Sequence, residues 1–230
     1  MVSPIKNILT TKPSFLKKEA KVLFLYYIMF YFTNYKKSGK IQYRRSGDKM
    51  LKTIDILDEK DKRLRQISQE VTFPMEKEDL ENIDLMEEYL YNSQIEELAE
   101  KYDLRPGMGM AAVQIGVLKR YIVIVHEVDE GFDSYVVVNP KIISHSEEKI
   151  YVETGEGCLS VNRDCDGIVP RYARVTIEGY DTEGNKIKIR AREELAIAFQ
   201  HEIDHLNGIL FVDKIDSNNP FKDQAKYRPI

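Results

Sequence analysis

The sequence predicts an α+β fold, with antiparallel or mixed β-sheets around one helix in the C-terminal half. Two observations carry this. β-Branched and aromatic runs cluster mid-chain, between Tyr121 and Arg190. A helical period of apolar residues then takes over through Leu195, Ala196, Phe199, Ile203 and Leu206. Strands gathered in the middle and a helix near the end form the segregated pattern of an α+β domain.

The elements follow in order. Residues 51–69 read as helical or mixed and polar, with Leu64, Ile67 and, just beyond, Val71 as core contacts. Glu78 to Tyr102 is an amphipathic helix on the recurrence of Leu80, Ile83, Met86, Leu90, Ile95 and Leu98, open to interruption at Asn92-Ser93. Arg105-Pro106-Gly107 stops it. Tyr121 to Val128 and Tyr135 to Val138 read as neighbouring strands joined at Asp129-Glu130-Gly131, and Asn139-Pro140 is expected to end the second. Ile142-Ile143, Ile150 to Val152, Val175 to Tyr180 and Lys186 to Arg190 continue the strand pattern, the last two joined by the turn Asp181 to Asn185. The final helix starts near Glu193 and stops at Asn207-Gly208.

Composition restricts the function classes. A chain of 230 residues with 43% hydrophobic and 31% charged residues can bury a full core. A net charge of −4 leaves no overall basic surplus, so no specific nucleic-acid partner is expected. The two cysteines, Cys158 and Cys165, are too close in sequence for a useful disulfide, which points to a reducing compartment.

The first 49 residues differ from the rest. Lys6, Lys12, Lys17, Lys18, Lys21, Lys36, Lys37, Lys40, Arg44 and Arg45 face only Glu19 and Asp48, and Val22 to Phe32 is an unbroken apolar run. That run is short for a membrane span and has the length of a signal-peptide core. A targeting segment leading to an organelle and a membrane anchor are two readings of it. We expect a third: translation begins at Met50, and residues 1–49 are upstream sequence read in frame. Ser46-Gly47-Asp48-Lys49-Met50 can be written AGU GGA GAU AAA AUG, which places a purine-rich GGAG before the start codon, as a bacterial ribosome-binding site would. Residues 50–230 are then a single domain.

The chemistry is concentrated late in the chain. His201-Glu202-Ile203-Asp204-His205 lies inside the last helix, and a spacing of four sets both imidazoles on one face. Two neutral imidazoles can share one ion, and Glu202 can act as general base toward a water at the open position. Gln200 and Asp204 are candidates to orient the imidazoles or their neighbours. A catalytic site needs a third protein ligand. Downstream only Asp213 and Asp216 are offered, whereas Glu156 to Ser160 presents a thiol beside glycine, so Cys158 is the better candidate. Cys158 as a nucleophile with a histidine base is the rival use, but it leaves the second histidine and Glu202 without roles. Cys165 reads as a bystander.

Gly107 to Gln114 (GMGMAAVQ), Glu156 to Ser160 (EGCLS) and His201 to His205 (HEIDH) resemble, in order, the three motifs of the peptide deformylase family. The similarity extends from about Asp55 through the tail, and TGEGCLSV and QHEIDHLNG look like the subclass common in low-GC Gram-positive bacteria. Val113 departs from the pattern, which more often has proline or threonine there, and residues 1–49 have no counterpart in it. The resemblance implies an enzyme of protein biosynthesis that removes the formyl group from the N-formylmethionine of nascent proteins, releasing formate. It implies one divalent ion on Cys158, His201 and His205, commonly Fe²⁺ and replaceable by Zn²⁺, Ni²⁺ or Co²⁺. It also implies that Glu202 shuttles the proton and that Gln114 and the Leu159 backbone N–H hold the oxyanion.

An amide side chain and a backbone N–H behind a glycine can stabilise an oxyanion without adding a titrating charge. Gly107, Gly109 and Gly157 would let a substrate backbone approach closely, and Met108, Ile197 and Ala198 would line the methionine pocket. Glu156 and Arg171, bracketing the Cys158 loop, are expected to pair and fix it. The expected partners are N-formylmethionyl nascent peptides with transient ribosome contact, no membrane, and a monomer in the bacterial cytoplasm, or in an organelle if residues 1–49 are a targeting segment. A zinc endopeptidase built on the same helix is the alternative and would need a downstream third ligand; a non-catalytic metal-binding module is another.

Mass spectrometry of the native protein is expected to find its amino terminus at Met50. Recovery of peptides from the Thr10 to Tyr35 region would overturn that expectation.

Overall fold

Strand β2 (Tyr121–Val128) organises the molecule. Its first five residues are all buried, because alternate side chains enter two different cores. Tyr121, Val123 and Val125 face a core shared with helix α1 (Lys77–Ser93), while Ile122 and Ile124 face a core shared with helix α3 (Glu193–Leu206). The short helix α2 (Glu96–Tyr102) follows α1. The computed structural model describes residues 50–129 and 131–230. The reading of residues 1–49 as an extension falls outside them, as does residue 130 of the turn expected at 129–131.

The main sheet has the order β1-β2-β3-β6-β7, every neighbouring pair antiparallel. Its other members are β1 (Gly109–Ala111), β3 (Gly131–His145), β6 (Arg174–Tyr180) and β7 (Lys186–Arg192). A smaller mixed sheet joins β4 (Lys149–Tyr151) antiparallel to β5 (Arg171–Tyr172) and parallel to β8 (Arg228–Pro229). The β6–β7 turn is built as expected: Asp181 Oδ1 accepts from the N–H groups of Glu183 and Asn185, and Gly184 takes φ +88°. Helix α3 packs on both sheets and lies between Arg192 and Asn207, with Gly208 at φ +74° closing its end. None of the described helices is long and apolar enough to cross a membrane.

Three expectations need correction: Leu80, Ile67 and the strand end at Asn139-Pro140. The helix expected over Glu78 to Tyr102 is interrupted where Asn92-Ser93 allowed it, giving α1 and α2 with Ile95 extended between them, but Leu80 lies at the surface, 37% exposed. Residues 51–69 are mixed, with two 3-10 turns; Leu64 and Val71 are buried, but Ile67 is 73% exposed because no regular element turns it inward. Asn139-Pro140 does not end a strand. β3 runs through it to His145, with a register shift between Val138 and Lys141, and a bulge is where a residue without an N–H is tolerated. The strands β1, β5 and β8 carry too few residues for a period.

Asn139 shows what the bulge accomplishes. It takes φ +51°, which asparagine tolerates, and its buried amide pairs with both backbone groups of Val71: Val71 N–H donates to Oδ1 at 2.8 Å and Nδ2 donates to Val71 O at 2.9 Å. The side chain thus ties the segment before α1 to the main sheet. Asn139→Ala removes both bonds and leaves the Val71 groups unpaired, so the unfolding free energy should fall by about 3 kcal/mol in urea denaturation; an unchanged midpoint would contradict this account.

Candidate metal centre

Two segments deliver three donors to one point. Cys158 lies in the loop between β4 and β5, and His201 and His205 stand one turn apart on α3. Cys158 Sγ is 3.2 Å from His205 Nε2, the two histidine Nε2 atoms are 3.2 Å apart, and all three donors lie within 4.8 Å of one another. Two nitrogens bound to one tetrahedral ion at about 2.05 Å lie about 3.3 Å apart, which is the spacing found here. The other ring nitrogen of His201 fits the same purpose: Nδ1–H donates to Glu156 Oε1 at 2.6 Å, leaving the Nε2 lone pair free for an ion. Among the described residues, the buried Glu202 Oε2 has no hydrogen-bond partner. A buried carboxylate oxygen so placed is costly unless water or substrate completes it. The donor set suits a metal ion.

A buried chain of charges stands behind the histidines. Arg171, 2% exposed, donates to Glu156 through Nη2 at 2.5 Å and Nε at 2.9 Å, and to Asp204 Oδ2 through Nη1 at 2.5 Å. Lys214 Nζ reaches the same Asp204 oxygen at 3.1 Å. Burial pushes the Glu156 carboxyl up, but the bonds from His201 and Arg171 outweigh it and hold it at about 2. Burial likewise opposes the charge on Arg171, yet Glu156 and Asp204 keep it firmly protonated. Burial would depress His201, but the charge on Cys158 and the bond to Glu156 lift it well above the ordinary histidine range; burial and the charge on His201 drive His205 well below it. The point where the donors meet therefore favours positive charge. Burial raises the Glu202 carboxyl to about 7, with the His201 charge opposing.

The cleft in front of these residues has a volume of about 380 Å³. Gly107, Met108 and Gly109 line its strand side, Gly157 and Leu159 its loop side, and Ile197, Ala198 and Glu202 its helix side. The glycines of the strand make room for neighbours as well as for a ligand: a Cβ on Gly109 would fall 2.5 Å from Glu202 Oε1, and one on Gly107 would fall 2.8 Å from Leu159 Cδ1. Gln114 is fixed in orientation. Its Oε1 accepts from Ala111 N–H at 2.8 Å, which turns Nε2 toward Ser160 Oγ at 3.2 Å and Cys158 Sγ at 3.8 Å.

Most of the predicted site residues line this one cleft, while His205 joins it through the donor cluster and Arg171 through Glu156. Gln200 does not orient an imidazole: its amide pairs with the N–H and C=O of Tyr172, both at 2.9 Å, acting as an extra strand partner for β5. Asp204 binds Arg171 and Lys214, and so reaches His201 at one remove, through Arg171 and Glu156. Cys165 lies apart from the donor cluster, against Arg163. The downstream acids are engaged elsewhere, Asp213 with Arg65 and the N–H of Leu210, and Asp216 with Lys222. Ser160, which receives the Gln114 amide, and the cleft-lining Val152, Gly155, Glu194 and Arg105 escaped the sequence reading of the site, Arg105 being read only as part of a helix stop.

Residues 53–221 match a family model described as Polypeptide deformylase. The chain is 46% identical over 182 residues to Peptide deformylase 2 of Bacillus anthracis, covering 79% of this chain and 99% of that one. A solved structure of a probable peptide deformylase from Synechococcus phage S-SSM7 aligns with TM-score 0.56 at 38% identity, over 69% of this chain and 97% of that one. A Met-Ala-Ser-bound class I type b peptide deformylase from Acinetobacter baumannii aligns with TM-score 0.56 at 28% identity, over 70% and 96%.

Removing Arg171 would leave Glu156 and Asp204 without their shared cation and free the Cys158 loop. Arg171→Ala should weaken metal retention by about 10- to 100-fold in competition with a chelator. Metal content and activity at the original level would end this account of the pair.

Proposed function

We infer the chemistry from one premise: this chain belongs to the polypeptide deformylase family. It is a metal-dependent hydrolase that removes the formyl group from the amino terminus of nascent peptides. The convergence of one sulfur and two ring nitrogens beside a buried glutamate is the observation that carries the assignment of roles below.

We propose that Cys158, His201 and His205 hold one divalent ion, which when bound supplies a Lewis acid that acidifies water and polarises the formyl carbonyl. The Glu202 carboxylate takes a proton from the attacking water and returns it to the departing nitrogen, since an amide nitrogen must be protonated to leave. The water oxygen joins the formyl carbon, the C–N bond breaks, and formate and a free α-amine result. Gln114 Nε2–H and the Leu159 N–H donate to the oxyanion; the bond from Ala111 N–H aims the Gln114 amide in advance, so little reorganisation accompanies the reaction. Met108, Ile197 and Ala198 supply an apolar wall for the methionine side chain, while Gly107, Gly109 and Gly157 leave the peptide backbone room to lie against β1. The Met-Ala-Ser ligand of the Acinetobacter relative supports a peptide of that type in this cleft.

We further propose Fe²⁺ as the native ion, with Zn²⁺, Ni²⁺ or Co²⁺ able to replace it, because a thiolate and two imidazoles suit all four. A single chain supplies every donor, so a monomer suffices, and a nascent-chain substrate places the work in the bacterial cytoplasm with transient ribosome contact. The zinc-endopeptidase reading is not favoured: the third donor is Cys158, upstream of the helix, and the downstream acids lie outside the cluster.

The protein purified without oxygen should release formate rapidly from formyl-Met-Ala and nothing from acetyl-Met-Ala. Glu202→Gln should keep its metal while kcat drops by about 10²- to 10⁴-fold. Cleavage of internal casein bonds, or no release from either peptide, would refute the assignment.

A further inference from the structure

Arg105 follows α2, and its backbone is pinned on both sides: its N–H donates to Thr53 Oγ1 at 3.2 Å and its carbonyl accepts from Tyr89 Oη at 3.1 Å. From there the side chain crosses to the loop that carries Cys158. Nη2 donates to Cys158 O at 3.2 Å and Val161 O at 3.3 Å, and Nη1 donates to Leu159 O at 3.3 Å and to Asn162 Oδ1. Among the described residues no carboxylate lies within ion-pair distance of this guanidinium. An unneutralised cation is directed at four neutral oxygens, three of them main-chain carbonyls of consecutive or near-consecutive residues.

The position of one of those carbonyls matters. Cys158 C=O and Leu159 N–H are the two ends of the same peptide unit, and peptide resonance couples them. A cationic donor on the oxygen draws density from the nitrogen and makes its N–H a stronger donor, by the mutual polarisation that strengthens chains of hydrogen bonds. The bonds to Leu159 O and Val161 O hold the next peptide units still, so the same side chain also fixes where that N–H points.

We propose that Arg105 is a positioning residue for the deformylation reaction: it polarises and orients the Cys158–Leu159 peptide so that the Leu159 N–H meets the oxyanion as a pre-aimed, strengthened donor. This deepens the role given to Leu159 above and rests on it. The effect belongs to the transition state, where the oxygen carries charge, more than to substrate binding.

The test uses the full chain loaded with zinc, which is diamagnetic, and compares it with Arg105→Ala and Arg105→Lys. Four quantities are read: kcat and KM on formyl-Met-Ala, zinc content, and the ¹⁵N–¹H shift of the Leu159 amide. In Arg105→Ala, kcat should fall on the order of tenfold, less than the loss of a whole oxyanion donor. KM should stay within about twofold, as for an interaction made in the transition state. Zinc should remain stoichiometric, and the Leu159 amide should move upfield. Arg105→Lys, one cation without the fork, should recover part of the shift and part of kcat together, and it carries the test alone if the alanine variant does not fold. An unmoved Leu159 amide overturns the polarisation whatever the activity. A shifted amide with kcat unchanged, or a kcat that falls only in proportion to zinc, overturns the link to catalysis. Wild-type protein inert on formyl-Met-Ala refutes the functional reading instead, and the amide shift still decides whether Arg105 polarises the peptide.

Discussion

The cleft depends on one shared carboxylate. Glu156 binds His201 Nδ1 with one oxygen and Arg171 with both, and Arg171 passes the connection to Asp204 on the helix that carries the histidines. A loop, a strand of the small sheet and α3 are joined through four side chains. Such a buried chain is weak evidence for stability, because desolvation offsets much of the Coulomb gain. Its effect is on geometry. Each member is costly to leave unpaired, so the loop has few alternative positions in which all charges are satisfied. The sulfur of Cys158 is held near the imidazoles by that restriction, two residues along from Glu156.

The fold could be read from sequence wherever an element buried a face with a period. β2, β6, β7 and α3 all follow their patterns, and β2 reads as a continuous apolar run because both of its faces are covered. The reading failed where structure is decided by distant partners. β8 pairs with β4 across most of the C-terminal half, and neither Arg228–Pro229 nor Arg171–Tyr172 contains enough residues to show an alternation. Asn139-Pro140 has the composition of a strand end, yet its amide finds the backbone of Val71 and the strand continues beyond the bulge. A lone isoleucine such as Ile67 has no face until its neighbours are placed.

The site was more legible than the fold, because chemistry restricts residue types more tightly than packing does. A spacing of four on a helix fixes the relative position of two imidazoles, and a thiol near glycine stood out against two downstream aspartates followed only by a tail. Gln200 and Asp204 were expected to orient the imidazoles or their neighbours; Asp204 holds Arg171 behind Glu156, whereas Gln200 faces β5. Arg105 carried no signal: its side-chain contacts lie more than fifty positions away, and an arginine before Pro-Gly is read first as punctuation.

The missing Cβ of Gly109 has a consequence for α3 as a body. The Glu202 side chain occupies the notch that this glycine leaves in the edge strand, so the helix is indexed against the sheet by the same residue proposed to handle the proton. Sliding the helix along its axis, or turning it, would drive that side chain into the backbone of β1. Position 202 therefore has a mechanical duty and a chemical one, and the two are separable. A neutral side chain of equal length keeps the seat and silences the reaction, while a shorter one vacates the seat and loosens the alignment of everything the helix presents.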